Sequence, residues 1–232
     1  MNKVVAIIQA RMSSQRLPGK VLMDICGKPM LQRVIDRVKQ AKLVDNIVVA
    51  TTTKPLNRNI IRLAEECNVR SYVGSEDDVL DRYYQAVVNL SSLKIHWETI
   101  VRITADCPLI DPKVIDKVIR YYLDNGYDYV SNVGNYPDGF DVEVFSYKAL
   151  KKAWEEATNP YDREHVCTYI LKDWSLEVGR LEYSGLPYPR SIRFQVNTIE
   201  DLNFVRRIYG KLGDKFYLED VLKLLENENE PK

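Results

Sequence analysis

Residues 4–20 read VVAIIQARMSSQRLPGK, a short apolar run followed directly by a basic loop. The run is continuous and mostly β-branched, which is typical of a strand buried on both faces of a parallel sheet. The loop (residues 9–20, hereafter the basic loop) carries Arg11, Arg16 and Lys20 and no acid. Because ligands of open α/β sheets bind beyond the carboxyl ends of strands, this order predicts an anion-binding site.

The segments that follow alternate between strand and helix patterns. Apolar spacing predicts further strands at 46–50, 69–73 and 99–103 and helices at 31–41, 56–67, 79–90 and 112–124. This alternation predicts an α/β fold with a three-layer, doubly wound, mostly parallel sheet.

After residue 131 the rhythm becomes less regular. Strands are predicted at 139–146, 175–183 and 191–196, and helices at 147–157, 162–172 and 199–209. We therefore expect antiparallel additions to the sheet in the second half of the chain.

Composition excludes several classes of protein. The chain has 232 residues with 33 basic and 33 acidic side chains, and this balance argues against a nucleic-acid binder. No apolar run approaches the roughly 18 to 20 residues of a membrane span, so we expect a cytoplasmic protein with no membrane partner. Four cysteines without a Cys-x-x-Cys pair make a thiolate zinc site unexpected.

The basic loop matches neither of two common phosphate-binding motifs. A P-loop would need Gly at position 14 and Ser or Thr after the lysine, but Ser14 and Val21 stand there. A dinucleotide loop would need three glycines, and Gly19 is the only glycine before residue 27. From the residues alone, a triphosphate-binding loop and a merely solvated basic loop both remain open.

Several motifs are similar to those of a known enzyme family. The N-terminal ones resemble the signature of bacterial cytidylyltransferases that make CMP-activated acidic sugars, such as the 3-deoxy-manno-octulosonate (KDO) and acylneuraminate enzymes. Later ones resemble the spore coat polysaccharide cytidylyltransferase-like group. The motifs are AIIQAR at 6–11, LPGK at 17–20, GKPM at 27–30, GSEDDVLDRY at 74–83, RITADCPLID at 102–111, GFDVEVF at 139–145 and REHV at 163–166.

The resemblance implies a nucleotide-diphospho-sugar transferase-like fold and a Mg²⁺-dependent transfer of CMP from CTP to a sugar or sugar-acid acceptor, with release of pyrophosphate, for surface polysaccharide or glycan biosynthesis. It implies a single domain over 1–232, with a nucleotide-binding half to about 130 and an acceptor-binding and dimerisation half after it, in a homodimer. The implied catalytic residues are Arg11, Lys20 and Asp106. The implied nucleotide-binding residues are Gln9, Ala10, Arg11, Ser13, Ser14, Arg16, Lys20, Gly74, Ser75, Arg82 and Asp106.

Some of these positions also have simpler interpretations. Arg82 either reaches a phosphate or pairs with Asp78 four residues before it. Asp106 either binds the metal ion or caps the turn before Pro108.

The implied metal ligands are Asp106 and Asn197. The family has an aspartate where this chain has Asn197, whose amide oxygen can bind a cation but supplies no charge. This departure allows weakened activity, a metal site shifted to Asp141 or Glu143, or a chain that binds nucleotide without catalysis. Thr198, three residues before Asp201, also fits a helix cap.

The expected acceptor-binding residues lie in the second half: Asp141, Glu143, Arg163, Glu164 and His165. The spacing predicts that Asp141 and Glu143 share one face of a strand, where a cation or sugar hydroxyls would separate their charges. Arg163 is suited to bidentate binding of an anion, and His165 is either a base or a structural histidine.

A glycosyltransferase of the same fold is the rival enzyme. That class often carries an Asp-x-Asp metal motif, and this chain has none.

Overall fold

The computed structural model describes residues 3–91, 95–188 and 192–229. Its strands are β1 Val4–Gln9, β2 Asp24–Ile25, β3 Lys28–Pro29, β4 Asn46–Thr52, β5 Arg70–Gly74, β6 Thr99–Thr104, β7 Tyr129–Ser131, β8 Glu143–Ser146 and β9 Val178–Arg180. Its α-helices are α1 Met30–Val38, α2 Arg58–Glu66, α3 Val79–Ser91, α4 Pro112–Asn125, α5 Tyr147–Glu156, α6 Pro160–Glu164, α7 Thr168–Lys172, α8 Ile199–Leu212 and α9 Leu218–Asn229. Short 3-10 helices span Lys20–Leu22 and Pro55–Asn57.

Seven strands of the described chain form one sheet in the order β5-β4-β1-β6-β8-β7-β9, and β2 and β3 form a separate two-stranded ribbon. Strands β5, β4, β1 and β6 are mutually parallel, β8 pairs antiparallel with both β6 and β7, and β9 is parallel to β7. The expected mostly parallel α/β sheet with an antiparallel addition in the second half is confirmed.

Helices cover both faces of this sheet. Alternate residues of β1 separate two cores: Val4, Ala6 and Ile8 pack with α1, α2, α4, α8 and α9, whereas Val5 and Ile7 pack with α3, α5 and α7. A strand buried on both sides in this way must be apolar throughout, which is why its sequence shows no alternation. In the described residues, no helix has the length and apolarity to cross a bilayer.

Local signals set the ends of several helices. The side chain of Asp111 accepts a hydrogen bond from the backbone N of Lys113 at 2.7 Å, Pro112 opens α4, and Gly126 ends it with φ +70°. The side chain of Thr198 and that of Asp201 form a capping box at the start of α8. The helix-cap interpretation of Thr198 is therefore confirmed.

Four predictions for the second half were wrong in detail. The strand expected at 139–146 begins only at Glu143, and the one at 175–183 contracts to β9. Residues 192–196 form no strand, and Ser191 lies outside the described residues. The helix expected at 162–172 divides into α6 and α7, because His165 leaves the helical region with φ −106° and ψ 80°. Helix α9 was not predicted.

Gly139 explains why the strand at 139–146 is short. Its φ is +101°, and a Cβ built on it would lie 2.6 Å from the backbone N of Gln195. The segment before β8 therefore packs backbone against backbone on residues 194–195 and does not extend the sheet. This contact brings residues 194–197, hereafter the C-terminal segment, to the carboxyl edge of β1 and β6.

Candidate active site

A cleft of about 560 Å³, hereafter the central cleft, opens at the carboxyl ends of β1 and β6. The basic loop, the end of β6, the end of α6 and the C-terminal segment contribute its walls. Its lining residues are Gln9, Ala10, Arg11, Ser14, Gln15, Arg16, Lys20, Val21, Arg102, Thr104, Ala105, Asp106, Glu164, His165 and Gln195. The structure thus brings together the loop cations, Asp106 and two of the five residues expected to bind the acceptor.

The conformation of the basic loop depends on bonds to its own backbone. The backbone N of Gly19 donates to the carbonyl of Met12 at 2.9 Å, and Gly19 has φ +71°, which favours glycine. The backbone N of Met12 donates to Oδ1 of Asn57 at 2.9 Å. Held in this way, the loop leaves Arg11 and Arg16 exposed at the cleft.

Glu76 holds the basic loop from the other side. Its carboxylate accepts hydrogen bonds from Ser13 and Thr52, each at 2.5 Å, and ion pairs with Lys54 at 3.3 Å and Arg11 at 3.9 Å. Burial works against the charge of Glu76, but these hydroxyl and ammonium partners prevail and hold its pKa below the ordinary value. Ser13 was expected to bind nucleotide; its hydroxyl is instead bonded to Glu76, and it does not line the central cleft.

Lys20 connects the basic loop to the residues that follow the carboxyl end of β6 and to the C-terminal segment. Its ammonium nitrogen lies 2.8 Å from Oδ2 of Asp106, 2.6 Å from the carbonyl of Val196 and 3.2 Å from Oδ1 of Asn197. The side chain of Lys20 is only 8% exposed. Burial favours the neutral acid at Asp106, but the Lys20 ammonium together with hydrogen bonds from Thr104 and Gln195 outweighs it and lowers the pKa of Asp106, so the carboxylate stays charged at the cleft.

The C-terminal end of α6 forms the opposite wall. Glu164 and His165 are exposed there and line the cleft, and the ring of His165 lies 4.3 Å from that of Tyr161, centroid to centroid. The break between α6 and α7 is what presents His165 to the cleft. Of the two alternatives for His165, the structure therefore excludes a histidine buried in the core.

Arg163 does not line the central cleft, and its role in acceptor binding stays a prediction. Its Nε and Nη2 lie 2.9 and 2.5 Å from Oδ2 of Asp78, and its Nη1 donates to the carbonyl of Trp154 at 2.7 Å. These bonds join α6 to the start of α3 and to α5. The guanidinium is thus already occupied by protein groups.

Glu143 and Asp141 do not form the expected pair on one strand face. Glu143 begins β8 and is buried, with 8% of the residue exposed, whereas Asp141 precedes the strand and its Oδ2 accepts from the backbone N of Gly139 at 3.1 Å. Burial raises the pKa of Asp141 to about 6. Neither residue lines the central cleft. A metal site shifted to Glu143 is excluded by its burial against Arg102.

Three further residues predicted to bind nucleotide lie outside the lining of the central cleft: Gly74 ends β5, Ser75 lies in the turn after it, and Arg82 is in the first turns of α3. Ser75 Oγ accepts from the backbone N of Asp78 at 3.0 Å, and the Ser75 carbonyl accepts from Nη1 of the buried Arg82. Asp78 pairs with Arg163 and not with Arg82, so the ion-pair alternative for Arg82 was wrong. For Gly74, Ser75 and Arg82, nucleotide binding stays a prediction.

Arg102 lines the cleft and was missed by the sequence analysis. It lies in β6 directly opposite Glu143 of β8, and its Nη1 is hydrogen-bonded to Oε2 of that carboxylate. Tyr129 donates to Oε1 of Glu143 at 2.7 Å. Burial alone would lower the pKa of Arg102, but Glu143 raises it above its ordinary value, so both groups are charged. The sequence signal that could have identified Arg102 was a single charged residue inside a strand that is otherwise uncharged.

Comparison with known proteins decides the family. The cytidylyltransferase family model matches residues 5–217. The chain belongs to the cytidylyltransferase family. It is therefore a nucleotidyltransferase, and the family assignment favours nucleotidyl transfer over the glycosyltransferase alternative.

Individual members of this cytidylyltransferase family are similar over nearly the whole chain. The chain is 32% identical over 221 residues to the spore coat polysaccharide biosynthesis protein SpsF of Bacillus subtilis, covering 93% of this chain and 90% of SpsF. It is 36% identical over 223 residues to a 3-deoxy-manno-octulosonate cytidylyltransferase of Geotalea uraniireducens, covering 95% and 77%. The structure of a cytidylyltransferase from Leptospira borgpetersenii superposes with a TM-score of 0.90 at 28% identity, covering 100% and 99%.

Asp106 is the lining carboxylate on the basic-loop side of the cleft, where the family implies a metal ion, and Glu164 lies on the opposite wall. Asp106 lines the cleft and keeps its charge, whereas the only side-chain oxygen of Asn197 accepts from Lys20 and its amide nitrogen donates to Gln195 at 2.9 Å. Within the described ranges, no three Asp, Glu, His or Cys side chains lie close enough to hold a metal by themselves. Asp106 therefore fits a Mg²⁺ ion that takes its other ligands from phosphates and water, and Asn197 fits poorly.

Proposed function

We propose that this cytidylyltransferase transfers CMP from CTP to a sugar or sugar-acid acceptor in a Mg²⁺-dependent reaction that releases pyrophosphate, for surface polysaccharide or glycan biosynthesis. In this reaction an acceptor oxygen forms a bond to the α-phosphorus. The bond from that phosphorus to the bridging oxygen breaks, pyrophosphate leaves with the electron pair, and the acceptor proton passes to solvent or a cleft base. The observation that carries the proposal is the Lys20–Asp106 pair, which lies in the central cleft beside the exposed cations of the basic loop.

The residues of the basic loop are suited to holding a triphosphate. Arg11 and Arg16 have exposed guanidinium groups at the cleft, and Ser14 and the neighbouring backbone add uncharged donors. Cations and hydrogen-bond donors at this position stabilise the negative charge that develops on the leaving pyrophosphate. The resemblance and the cleft together support roles for Gln9 and Ala10 beside the nucleotide.

Lys20 and Asp106 have complementary roles in this proposal. The buried Lys20 ammonium keeps Asp106 charged and aligned, and Asp106 with the phosphates would hold Mg²⁺. When bound, Mg²⁺ supplies charge neutralisation at the phosphate oxygens. We propose that Glu164 and His165, on the wall of the cleft formed by the end of α6, contact the acceptor. Asp141 does not contact the acceptor directly in this proposal.

The test combines binding with product detection. A thermal-shift titration with CTP, UTP, ATP and GTP, with and without Mg²⁺, is expected to give a CTP-selective shift enhanced by Mg²⁺, because a ligand of the folded state raises the melting temperature. Pyrophosphate release is then measured with CTP and a panel of sugars, sugar acids and sugar phosphates. Absence of a CTP shift, or release of a nucleoside diphosphate from a nucleotide sugar, would contradict the proposal.

Two expectations accompany this function. A homodimer that pairs through the second half is tested by the molar mass in light scattering, where a monomer would contradict it. Cytoplasmic residence is tested by fractionation of the source cells.

A further inference from the structure

The ammonium of Lys20 has a protein acceptor for each of its hydrogens. Its nitrogen lies 2.8 Å from Oδ2 of Asp106, 2.6 Å from the carbonyl oxygen of Val196 and 3.2 Å from Oδ1 of Asn197. An ammonium has three N–H donors, and these three oxygens accept them. The Lys20 side chain is also almost fully buried. Lys20 is therefore a fixed cation beside Asp106.

Asn197 uses both ends of its amide to support that arrangement. Its Oδ1 accepts from Lys20, and its Nδ2 donates to Oε1 of Gln195 at 2.9 Å. Gln195 in turn hydrogen-bonds to the carboxylate of Asp106. The four side chains thus close a ring of hydrogen bonds, in which Asn197 is buried. An aspartate at position 197 could accept from Lys20 but could not donate to Gln195.

We propose that Asn197 is a positioning residue and not a metal ligand. Together with Gln195 it holds the Lys20 ammonium against Asp106, and Asp106 alone among these four side chains binds the metal ion. The inference rests on the proposed function, because it concerns the same metal-dependent site. It departs from the pair of ligands that the family resemblance implies, in which position 197 binds the metal ion directly.

The place of Asn197 argues against contact with a metal ion. A divalent cation at its Oδ1 would share that atom with the Lys20 ammonium, and two cations at one oxygen repel each other. Asn197 also does not line the central cleft, whereas Asp106 does. Lys20 engages Oδ2 of Asp106, and the carboxylate has a second oxygen, Oδ1, with lone pairs for a metal ion.

The charges of the site lead to the same conclusion. The ammonium of Lys20 offsets the carboxylate of Asp106, so with the neutral Asn197 these three side chains carry no net charge. An aspartate at position 197 would make them net negative, and a site with more ligand charge binds a divalent cation more tightly. In this chain the missing negative charge must come from the phosphates of CTP.

The test crosses two substitutions with two measurements. Asn197→Ala removes the oxygen that Lys20 uses, whereas Asn197→Asp retains an oxygen for Lys20 and adds a negative charge. Binding of Mn²⁺, a paramagnetic substitute for Mg²⁺, to the nucleotide-free chain is measured by electron paramagnetic resonance. Accessibility of Lys20 is measured as its rate of acetylation by an amine-reactive reagent, read by mass spectrometry relative to the exposed Lys42.

We expect each substitution to change one measurement and to leave the other as in the wild type. Asn197→Ala should raise the acetylation rate of Lys20 relative to Lys42 by about five-fold, the equivalent of one lost hydrogen bond. Its Mn²⁺ affinity should stay unchanged. Asn197→Asp should tighten Mn²⁺ binding by about ten-fold or more, because it adds ligand charge, and should leave Lys20 as protected as in the wild type.

Asn203 provides the matched controls. It is exposed on α8 and lies outside the lining of the central cleft, so Asn203→Ala and Asn203→Asp should match the wild type in both measurements. Thermal melts without ligand establish that each variant folds. If Asn197→Ala does not fold, Asn197→Ser takes its place with the same expectation, because its side chain is also too short to reach Lys20.

The inference is overturned if Asn197→Ala weakens Mn²⁺ binding by about ten-fold or more, since losing a ligand has that effect. It is also overturned if Asn197→Ala leaves the acetylation of Lys20 unchanged, or if Asn197→Asp does not tighten Mn²⁺ binding. Where Mn²⁺ binding to the wild type and to Asn197→Ala is below detection, the acetylation of Lys20 decides. Failure of the proposed function has a different signature, because the wild-type chain then shows no CTP shift.

Discussion

The two walls of the central cleft use charge in opposite ways. On the basic loop, Arg11 and Arg16 are exposed, and the groups that hold the loop act mainly on its backbone and hydroxyls. On the opposite wall, Arg102 of β6 is held by the buried carboxylate of Glu143. Exposed guanidinium groups can adapt to a flexible triphosphate, whereas the guanidinium of Arg102 is held in one orientation. Lys20 is the residue at which the two walls meet.

The largest effect is expected from Lys20→Met, which separates the walls. It removes three contacts that join the loop to Asp106 and to residues 196–197, and it leaves a mostly buried carboxylate without its partner. We expect a loss of roughly 3 kcal/mol in the free energy of unfolding and a fall in kcat of at least about 10²-fold. Denaturant melts and pyrophosphate release measure these. Lys151→Ala, which removes an exposed pair with Glu155, is the control, and equal behaviour of the two variants would contradict the assignment.

The second prediction concerns pH and Asp141, which lies in the second half of the chain outside the lining of the central cleft. The pKa of Asp141 is about 6 in the folded chain, against an ordinary value of 3.8. Between these values the folded chain holds a proton that the unfolded chain has lost, so stability falls as pH rises, by on the order of 3 kcal/mol once pH exceeds 6. Asp141→Asn removes this penalty and should stabilise the chain at pH 7.5 but not below pH 4.

Urea unfolding at a series of pH values measures the Asp141 effect. Asp124→Asn, at an exposed position of α4, is the control substitution. A pH-independent difference in the free energy of unfolding between Asp141→Asn and the wild type would mean that folding does not raise the pKa of Asp141.

A third prediction sharpens the contrast within the second half. Arg163→Met breaks the contacts to Asp78 and Trp154 and should cost about 1–3 kcal/mol of stability, with less than about a two-fold change in acceptor KM. His165→Ala should do the reverse, because His165 is exposed at the cleft: stability changes within about 0.5 kcal/mol, and kcat/KM for the acceptor falls. If Arg163→Met changed acceptor KM without destabilising the chain, the original expectation for Arg163 would be restored.

The smallest effect is expected at the anchor of the basic loop. Glu76→Gln retains an oxygen for Ser13 or Thr52 but removes the charge that attracts Arg11 and Lys54. We expect a loss of about 1 kcal/mol and a rise of a few-fold in the KM for CTP, with acceptor KM unchanged. Steady-state kinetics with each substrate varied in turn measures this. Glu66→Gln on the exposed face of α2 provides the comparison, and a change in acceptor KM alone would argue against an anchoring role.

The first half of the fold could be predicted closely because its signals are local. Buried parallel strands are largely apolar, and β1, β4 and β6 were found near their expected bounds. The edge strand β5, which is only partly buried, was also found near its expected bounds. The predictions for the second half failed where the backbone conformation of a single residue ended an element that the apolar pattern continues. Gly139 allows a close backbone approach that ends a strand early, and the turn at His165 divides a helix whose apolar spacing continues across it.

The candidate site divides in the same way. The loop cations and Asp106 were found at one cleft because strand order along the chain already places them at one edge of the sheet. Glu143 and Arg163 were misplaced, because their partners Arg102 and Asp78 lie 41 and 85 residues away in sequence. Periodicity along one segment says nothing about which distant charge a side chain meets.

The sequence by itself determined the α/β alternation, the basic loop after the first strand and the family resemblance, since each depends on residues close together in the chain. Tertiary structure alone decided that Lys20 reaches Asn197, 177 residues away, and that Arg102 is oriented by a buried glutamate on the next strand. Such contacts depend on strand register and on the packing of irregular segments, which balance many weak interactions over the whole chain. The chemistry of each side chain was readable from the sequence, and its partner was not.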